Sequence, residues 1–363
     1  MLLALSLVGT MTACGGQTSS EPSAPVNSAA PSDSASAGKE VPEVDTIHWA
    51  RANSGNIFVT LANQLGYFDE VGLTVIEDPV ASSTEALTAL GTGQVDVTSN
   101  QGTNNPLAQI AAGQDFTIVG GYMLQGMYLV AKTGTGWNGP EDLIGKKVAA
   151  PASTTTLTGP LLDLGYDPVN EVEWLTYSTN ADRLAAVVAG EADYAYLSGD
   201  QLYTVNNMDD VEVVVYANDE SLMPAYGCCR MNMRTEFVKE NPTTVKLLLK
   251  ALIRAQAYFE ANKEECVSIL AKDINADEDY VAAYLLNDNY KIAVDPVKNS
   301  VIKTWEIMMA TGFLPEGSDQ INIEDHINTE LYKTALDEVM AEHYDEYPEF
   351  FDERVAFFNE YNT

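Results

Sequence analysis

The sequence predicts an α/β fold: two doubly wound lobes of similar build, followed by a mostly helical C-terminal portion. Three observations carry this. The chain has 363 residues, more than one core ordinarily covers, so two lobes are the natural division. Strand-like and helix-like stretches alternate from Thr46 to Tyr216, the pattern of mainly parallel sheets covered by helices. And a segment of the first half has an echo in the second.

The elements follow in order. Thr46 to Ala50 reads as a strand that breaks at Asn53-Ser54-Gly55-Asn56. A helix follows, with Ile57, Phe58, Leu61, Ala62 and Leu65 on one face, and Gly66 closes it. Leu73 to Ile76 is a second strand. Ser82 or Ser83 caps a helix through Leu90, and Val95 to Thr98 is a third strand. Asn104 to Ala112 is helical, while Phe116 to Gly120 and Met127 to Ala131 are strands. The pattern then repeats. Lys147 to Ala150 is a strand, followed by a Ser/Thr-rich turn and a short helix. Glu173 to Thr176 is a strand, Asp182 to Ala189 a helix, Tyr194 to Tyr196 a strand and Val211 to Tyr216 another. Beyond Asn241 the chain reads mostly helical, including a long run from Pro242 to Ala261.

The echo pairs Leu87 to Val97 with Leu184 to Tyr194. Each is a helix, a glycine stop and a strand opened by an acidic residue. Aligning Gly93 with Gly190 pairs Asp96 with Asp193, as two lobes of the same pattern would. Both aspartates read as structural rather than ligand-contacting.

Composition narrows the function. Hydrophobic residues make up 46% and charged residues 20%, ordinary for a soluble globular chain, but the formal net charge is −34. Such a surface repels phosphate backbones, and no basic patch offsets it, which excludes nucleic acid as a partner.

Met1 to Ala13 is apolar with small residues toward its end, and Cys14 follows. That run is too short for a stable membrane span and suits an export signal. Met11-Thr12-Ala13-Cys14 resembles a bacterial lipoprotein processing site, which implies a lipid on Cys14 and an extracytoplasmic chain tethered to the cell membrane. Two departures stand out: Met11 occupies a position where Leu is preferred, and no Lys or Arg precedes the apolar run. Gln17 to Gly38 is nearly all small and polar, so residues 15–43 read as a flexible tether. About 25 such residues reach on the order of 25–30 Å.

The remaining cysteines are Cys228, Cys229 and Cys266. Adjacent cysteines rarely pair because the geometry is strained, and three thiols with three histidines make no zinc spacing. They read as small buried residues, with a disulfide from Cys228 or Cys229 to Cys266 left open in an oxidising exterior. No metal or cofactor is expected.

Four segments then resemble one group of proteins. Ala62-Asn63-Gln64-Leu65-Gly66-Tyr67-Phe68-Asp69-Glu70-Val71-Gly72-Leu73 is similar to its A-x-x-x-G-Y-F-x-x-x-G-L segment. Ala89-Leu90-Gly91-Thr92-Gly93-Gln94-Val95-Asp96 is similar to A-L-x-x-G-x-x-D. Asp142-Leu143-Ile144-Gly145-Lys146-Lys147-Val148-Ala149 is similar to D-L-K-G-K-K-V-A, and Glu240-Asn241-Pro242 to E-N-P. In this order they resemble the substrate-binding proteins of ABC importers for sulfonates, taurine, nitrate and thiamine-type pyrimidines. The resemblance implies a periplasmic-binding-protein type 2 fold, with two lobes joined by two crossover strands. Lobe 1 would hold residues 44–133 plus 225–363 and lobe 2 residues 134–224. It also implies a small organic solute captured in the interlobe cleft by hinge closure, and an ABC permease and ATPase as partners of a monomeric binding protein.

In doubly wound sheets the ligand crevice lies beyond the carboxyl ends of the strands, which marks four loops. They are Asn53, Ser54, Gly55 and Asn56; Ser99, Asn100 and Gln101; Ser153, Thr154, Thr155 and Thr156; and Ser198, Gly199 and Asp200. Their hydroxyls, amides and helix-start N–H groups suit a ligand's polar end, although Ser and Thr at helix starts also serve as plain caps. Trp49, Tyr128 and Tyr226 are candidates for an aromatic face. The loops contain no Lys or Arg; Arg51, best placed, and Arg183 and Arg230 are the nearest cations. With Asp200 present, a zwitterion, a cation-bearing ligand or a neutral heterocycle suits the loops as well as a bare anion.

Two rival functions are weighed. An enzyme of the same fold acting on a pyrimidine is disfavoured, because the chain lacks a G-x-S-x-G elbow, a phosphate loop and a metal-binding histidine pair. His48, His326 and His343 are isolated, no catalytic residue is assigned, and Cys228-Cys229 is a faint echo of the cysteine-rich run in fungal pyrimidine synthases. An extracellular sensor using the same cleft would share every feature above.

Overall fold

The computed structural model describes residues Glu40–Thr363; Cys14 and most of the tether segment lie outside the described residues. The first lobe opens with β1 (Thr46–Arg51), α1 (Ile57–Gln64), α2 (Tyr67–Val71), β2 (Thr74–Pro79), α3 (Ser83–Thr92), β3 (Val97–Thr98), α4 (Asn104–Ala111) and β4 (Phe116–Gly121). A short β5 (Met123–Gln125) leads to β6 (Tyr128–Lys132). Then come β7 (Lys147–Ala149), α5 (Thr155–Asp163), α6 (Pro168–Glu171), β8 (Glu173–Trp174), α7 (Asn180–Ala189), β9 (Tyr194–Leu197), α8 (Leu202–Asn206) and β10 (Val211–Tyr216). The return strand β11 (Arg230–Arg234) precedes α9 (Thr235–Glu240), α10 (Pro242–Ala261), α11 (Lys263–Asp273), α12 (Glu278–Leu285), β12 (Lys291–Ile292), α13 (Lys298–Ala310), α14 (Glu330–His343) and α15 (Pro348–Tyr361).

Two five-stranded sheets share one plan. The first runs β2-β1-β3-β11-β4 and the second β8-β7-β9-β6-β10. In each, three strands are parallel (β1 with β2 and β3, β7 with β8 and β9), and one antiparallel strand is inserted next to the third. That inserted strand comes from elsewhere in the chain. β11 returns after the whole second lobe to lie between β3 and β4, while β6 precedes the other strands of its sheet. Tyr128–Lys132, which the sequence reading assigned to residues 44–133 of lobe 1, therefore hydrogen-bonds in the second sheet, to β9 and β10. Sequence periodicity identifies a strand but is silent on which sheet accepts it.

The echo has a physical counterpart. In the first lobe the N–H of Asp96 donates to the His48 carbonyl (2.8 Å), and Asp96 Oδ2 accepts the N–H of His48 (2.9 Å). In the second, the N–H of Asp193 donates to the Lys147 carbonyl and Asp193 Oδ2 accepts the N–H of Lys147, both at 2.8 Å. Each aspartate thus fastens the start of its strand to the neighbouring strand by a reciprocal pair. Upstream, Gly93 (φ 76°) and Gly190 (φ 73°) end α3 and α7 in the left-handed region, where a side chain would be strained. Ser82 and Thr179 cap those helices by accepting the N–H groups of Glu85 and Asp182.

The main core joins the first sheet to the long α10. Thirteen of its residues are buried, and it packs across α1, α2 and α14. At its start Glu43 accepts the N–H groups of Thr243 and Thr244 at 3.0 and 2.7 Å, supplying the cap that Asn241 does not.

Asp96 also meets Arg234 at 3.5 Å and is the more enclosed of the two aspartates. Asp96→Ala is expected to lower stability by about 2 kcal/mol, and Asp193→Ala by less. Urea unfolding followed by circular dichroism gives both values, and equal losses would contradict the ranking.

Candidate functional site

Each lobe contributes two loops at the carboxyl ends of parallel strands. In the first lobe the loops after β1 and β3 are tied together. Asn56 caps α1 by accepting the Phe58 N–H through Oδ1 (3.0 Å), and its Nδ2 donates to Ser99 Oγ at 3.1 Å. Ser99 Oγ donates to Asn100 Oδ1 (2.6 Å), and Asn100 Nδ2 donates to the Gly55 carbonyl (2.7 Å) and to Ser54 Oγ (3.3 Å). Gly55 has φ 64°, and a Cβ there would lie 2.9 Å from Ile274 Cγ2, so only glycine fits beside α11. Asn53 and Ser54 are exposed. Gln101 is buried with its Nε2 unpartnered.

In the second lobe Thr154 Oγ1 donates back to the Pro151 carbonyl (2.7 Å), and Thr155 and Thr156 are buried in the first turn of α5. The lobes meet here. Asn104, at the start of α4, donates through Nδ2 to the Ser153 carbonyl (2.6 Å), while its Oδ1 accepts from Thr155 Oγ1 and from the Tyr226 hydroxyl, both at 3.5 Å. Asn104 was not among the expected site residues. It was read as the start of a helix, and nothing local marks its side chain as a bridge.

Asp200 forms the other half. Ser198 Oγ donates to it, as do Asn180 Nδ2 (2.8 Å) and Gln201 Nε2 (2.9 Å). These are neutral donors. Tyr128 lies beside this loop, because its strand pairs Tyr128 with Leu197 at the end of β9. It is fully buried, yet its hydroxyl has no partner. Burial pushes its ionisation up, helped by Asp200, Tyr216 and Tyr280 nearby, so the hydroxyl is a neutral donor.

A row of tyrosines missed in the sequence completes this face. Tyr284 sits where a Cβ on Gly199 would come within 2.9 Å of it, so glycine is what lets α12 approach Asp200. Ring centroids separate Tyr280 from Tyr284 by 5.8 Å and Tyr284 from Tyr290 by 5.3 Å, and Tyr128 from Tyr216 by 5.8 Å. Tyr122 links the row to the first lobe: its hydroxyl lies 3.4 Å from the Ile57 N–H at the start of α1, and burial raises it to about 12. Tyr280, Tyr284 and Tyr290 come from a segment that reads only as helical, with no sequence signal for its placement over the cleft.

Two expectations are corrected. Trp49 is core, 1% exposed, facing α1 and α10 rather than a ligand. Arg51 is not free to hold an anion: Nη1 pairs with Glu77 at 2.8 Å and Nη2 with Asp273 at 2.7 Å. Although burial disfavours its charge, those carboxylates hold it above the ordinary arginine range. Asp273 lies 222 residues away, which no local pattern reveals. Of the other cations, Arg230 is fully buried and donates to the Asp295 and Met123 carbonyls. Arg183 donates to Asn180 Oδ1 and the Tyr196 carbonyl, with Asp200 in its field. Cys228, Cys229 and Cys266 are free thiols, so the disulfide left open in the sequence is not formed.

The arrangement sets neutral donors at one end and a carboxylate beside tyrosine rings at the other. The profile of the NMT1/THI5-like family matches residues 53–266, and the chain belongs to that family. It is 27% identical over 268 residues to the taurine-binding periplasmic protein of Escherichia coli, covering 68% of this chain and 80% of that one. Among solved structures it resembles the periplasmic aliphatic sulphonate binding protein of Escherichia coli, with 20% identity, a TM-score of 0.64, and coverage of 78% of this chain and 92% of that one. It also resembles the periplasmic nitrate-binding protein of Synechocystis, with 17% identity, a TM-score of 0.62, and coverage of 82% and 90%. The fold is that of type 2 periplasmic binding proteins.

An unpartnered buried hydroxyl costs about 1–3 kcal/mol, so Tyr128 is expected to detract from stability until a ligand satisfies it. Tyr128→Phe should leave the unliganded chain as stable or more so and should weaken solute binding about tenfold. Thermal unfolding with and without solute measures both; an unchanged affinity would make the hydroxyl a mere internal orphan.

Proposed function

We propose that this chain is the extracytoplasmic solute-binding component of an ABC importer, and that its solute is a small organic molecule bearing a cationic nitrogen. Family membership and the names of its relatives support the transport role. The observation that favours the nitrogen is Asp200, held by three neutral donors and faced by Tyr128, Tyr280 and Tyr284. A cation beside a carboxylate and over tyrosine rings gains from both, more so when desolvated. The four loops themselves supply no Lys or Arg for a bare anion, Arg51 is already paired with Glu77 and Asp273, and Arg183 beside Asp200 is turned to Asn180 Oδ1 and the Tyr196 carbonyl. Helix starts and amides at the Asn104 end can still take a sulfonate or carboxylate, so a zwitterion such as taurine fits both ends. The chain would act as a monomer tethered by a lipid on Cys14 and present its closed form to a permease and ATPase. Among the described residues no helix is long and apolar enough to cross a membrane.

Thermal-shift and calorimetric titrations with matched pairs test the ligand class: taurine against ethanesulfonate, choline against 3,3-dimethylbutanol, and thiamine-type pyrimidines with and without the amino group. Binding raises the unfolding temperature by mass action. The nitrogen-bearing member of a pair should bind at least tenfold tighter, and Asp200→Asn should erase the difference. Equal affinities would remove the nitrogen from the reading but leave solute capture standing; silence across the panel would sink capture itself.

For the anchor, Cys14→Ala expressed in a bacterial host should move the protein from the membrane fraction to the soluble fraction. Retention at the membrane would refute lipidation at that residue.

A further inference from the structure

Cys228 and Cys229 have no part in the solute site, yet they stand where the two lobes are joined. The first connection runs from β4 through β5 to β6, and the second from β10 to β11. They are zipped together at the cysteines: the Tyr122 N–H donates to the Cys229 carbonyl (3.0 Å), and the Cys229 N–H donates to the Met123 carbonyl (2.9 Å). The two sulfurs are 3.8 Å apart. Cys228 is partly exposed and Cys229 is 7% exposed.

The same backbone holds one of the contacts between the lobes, beside those of α12 on Gly199 and of Lys303 with Asp163. Thr103 Oγ1 donates to the carbonyls of Gly227 and, at 3.0 Å, Cys228. The next residue is Asn104, which crosses to Ser153. Beneath the pair, Arg230 is buried with its Nε unpartnered. The hydrogen bond with Cys228 outweighs the burial that opposes it and, with the Gly102 N–H and the Arg230 guanidinium, pulls the Cys229 pKa down, whereas the hydrogen bond to Cys229 and burial push that of Cys228 up. One nucleophile and one resolving thiol is the division that disulfide exchange requires.

We propose that Cys228 and Cys229 are a redox-active vicinal dithiol, oxidised by a low-molecular-weight disulfide, and that closing their ring releases the Asn104–Ser153 contact between the lobes and lets them open about the contacts that remain. The Cys229 thiolate attacks one sulfur of the small disulfide, giving a mixed disulfide and one small thiol. Cys228, losing its proton, then attacks Cys229 Sγ and expels the second thiol. Two protein S–H groups and one disulfide become one protein S–S bond and two small thiols. The sulfurs must close from 3.8 Å to about 2.05 Å. Adjacent Cα atoms are only about 3.8 Å apart, below the usual disulfide span, so the bond forms strained and readily reducible. Turning the Cys228–Cys229 peptide to make it swings the Cys228 carbonyl away from Thr103 Oγ1 and the Cys229 N–H away from the Met123 carbonyl. Asn104 then loses its alignment on Ser153, and the lobes open at that end.

The test uses the full chain, reduced, without solute, and then exposed to oxidised glutathione. Free thiols are blocked and peptides mapped by mass. The peptide holding both cysteines should lose two hydrogens while Cys266 stays free. Cys228→Ser, lacking the resolving thiol, should keep one glutathione on Cys229. In small-angle scattering the oxidised chain should have a larger radius of gyration than the reduced chain, and Cys228→Ser and Cys229→Ser should each keep the reduced value. Two results would overturn the proposal. One is a pair that stays reduced at a glutathione disulfide concentration that oxidises the same protein in urea. The other is an oxidised pair with an unchanged radius. Neither readout depends on the solute, so an empty ligand panel would leave the result intact.

Discussion

Each sheet depends on a strand that the chain delivers out of turn. β11 follows the whole second lobe in the chain yet lies between β3 and β4, and β6 precedes in sequence the strands β9 and β10 that flank it. Non-local pairings of this kind demand loop closure before contacts reward it. What they give in return is geometry. Because one inserted strand leaves each lobe toward the other, the two connections lie side by side, bonded Tyr122 to Cys229 and Ala217 to Met127. The two connections form a paired ribbon between the lobes, and Asn104 after β3 meets Ser153 after β7 across them.

Within that frame the polar groups divide into those already satisfied and those left waiting. Asn56, Ser99 and Asn100 satisfy one another, which fixes the first two loops at little entropic cost on binding. Asp200 is similarly held by Ser198, Asn180 and Gln201. Tyr128 Oη and Gln101 Nε2 are buried without partners. A fold retains such orphans at a cost, and on the proposed reading these two donors are the ones a bound solute would satisfy.

Much of this was legible because it is local or repeated. The four loops follow from strand ends and helix starts, and the pairing of Asp96 with Asp193 follows from a glycine stop at the same spacing in each half. The reciprocal bonds to His48 and Lys147 are the physical content of that repeat. What was not legible is long-range. Arg51 looked free because its partner Asp273 arrives from α11. Trp49 looked like a pocket aromatic because a strand-end tryptophan carries no label for which face it takes. Tyr280, Tyr284 and Tyr290 looked like ordinary helical residues, since only the approach of α12 to Gly199 gives them a role.

Electrostatics then separates fold from ligand. A net charge of −34 disfavours anions at a distance, although screening confines the effect to about 8 Å at physiological salt. Local chemistry therefore decides, and here it is asymmetric. The Asn104 end offers amide and hydroxyl groups with no carboxylate among its partners, whereas the Asp200 end offers a carboxylate and tyrosine rings. A ligand with charge of one sign uses only one end. A molecule with both signs, or a polar heterocycle carrying an amino group, engages both lobes at once. On the proposed reading such a ligand favours closure because a ligand shifts a conformational equilibrium by as much as its differential affinity for the two states, and this one gains contacts on both lobes only when they meet.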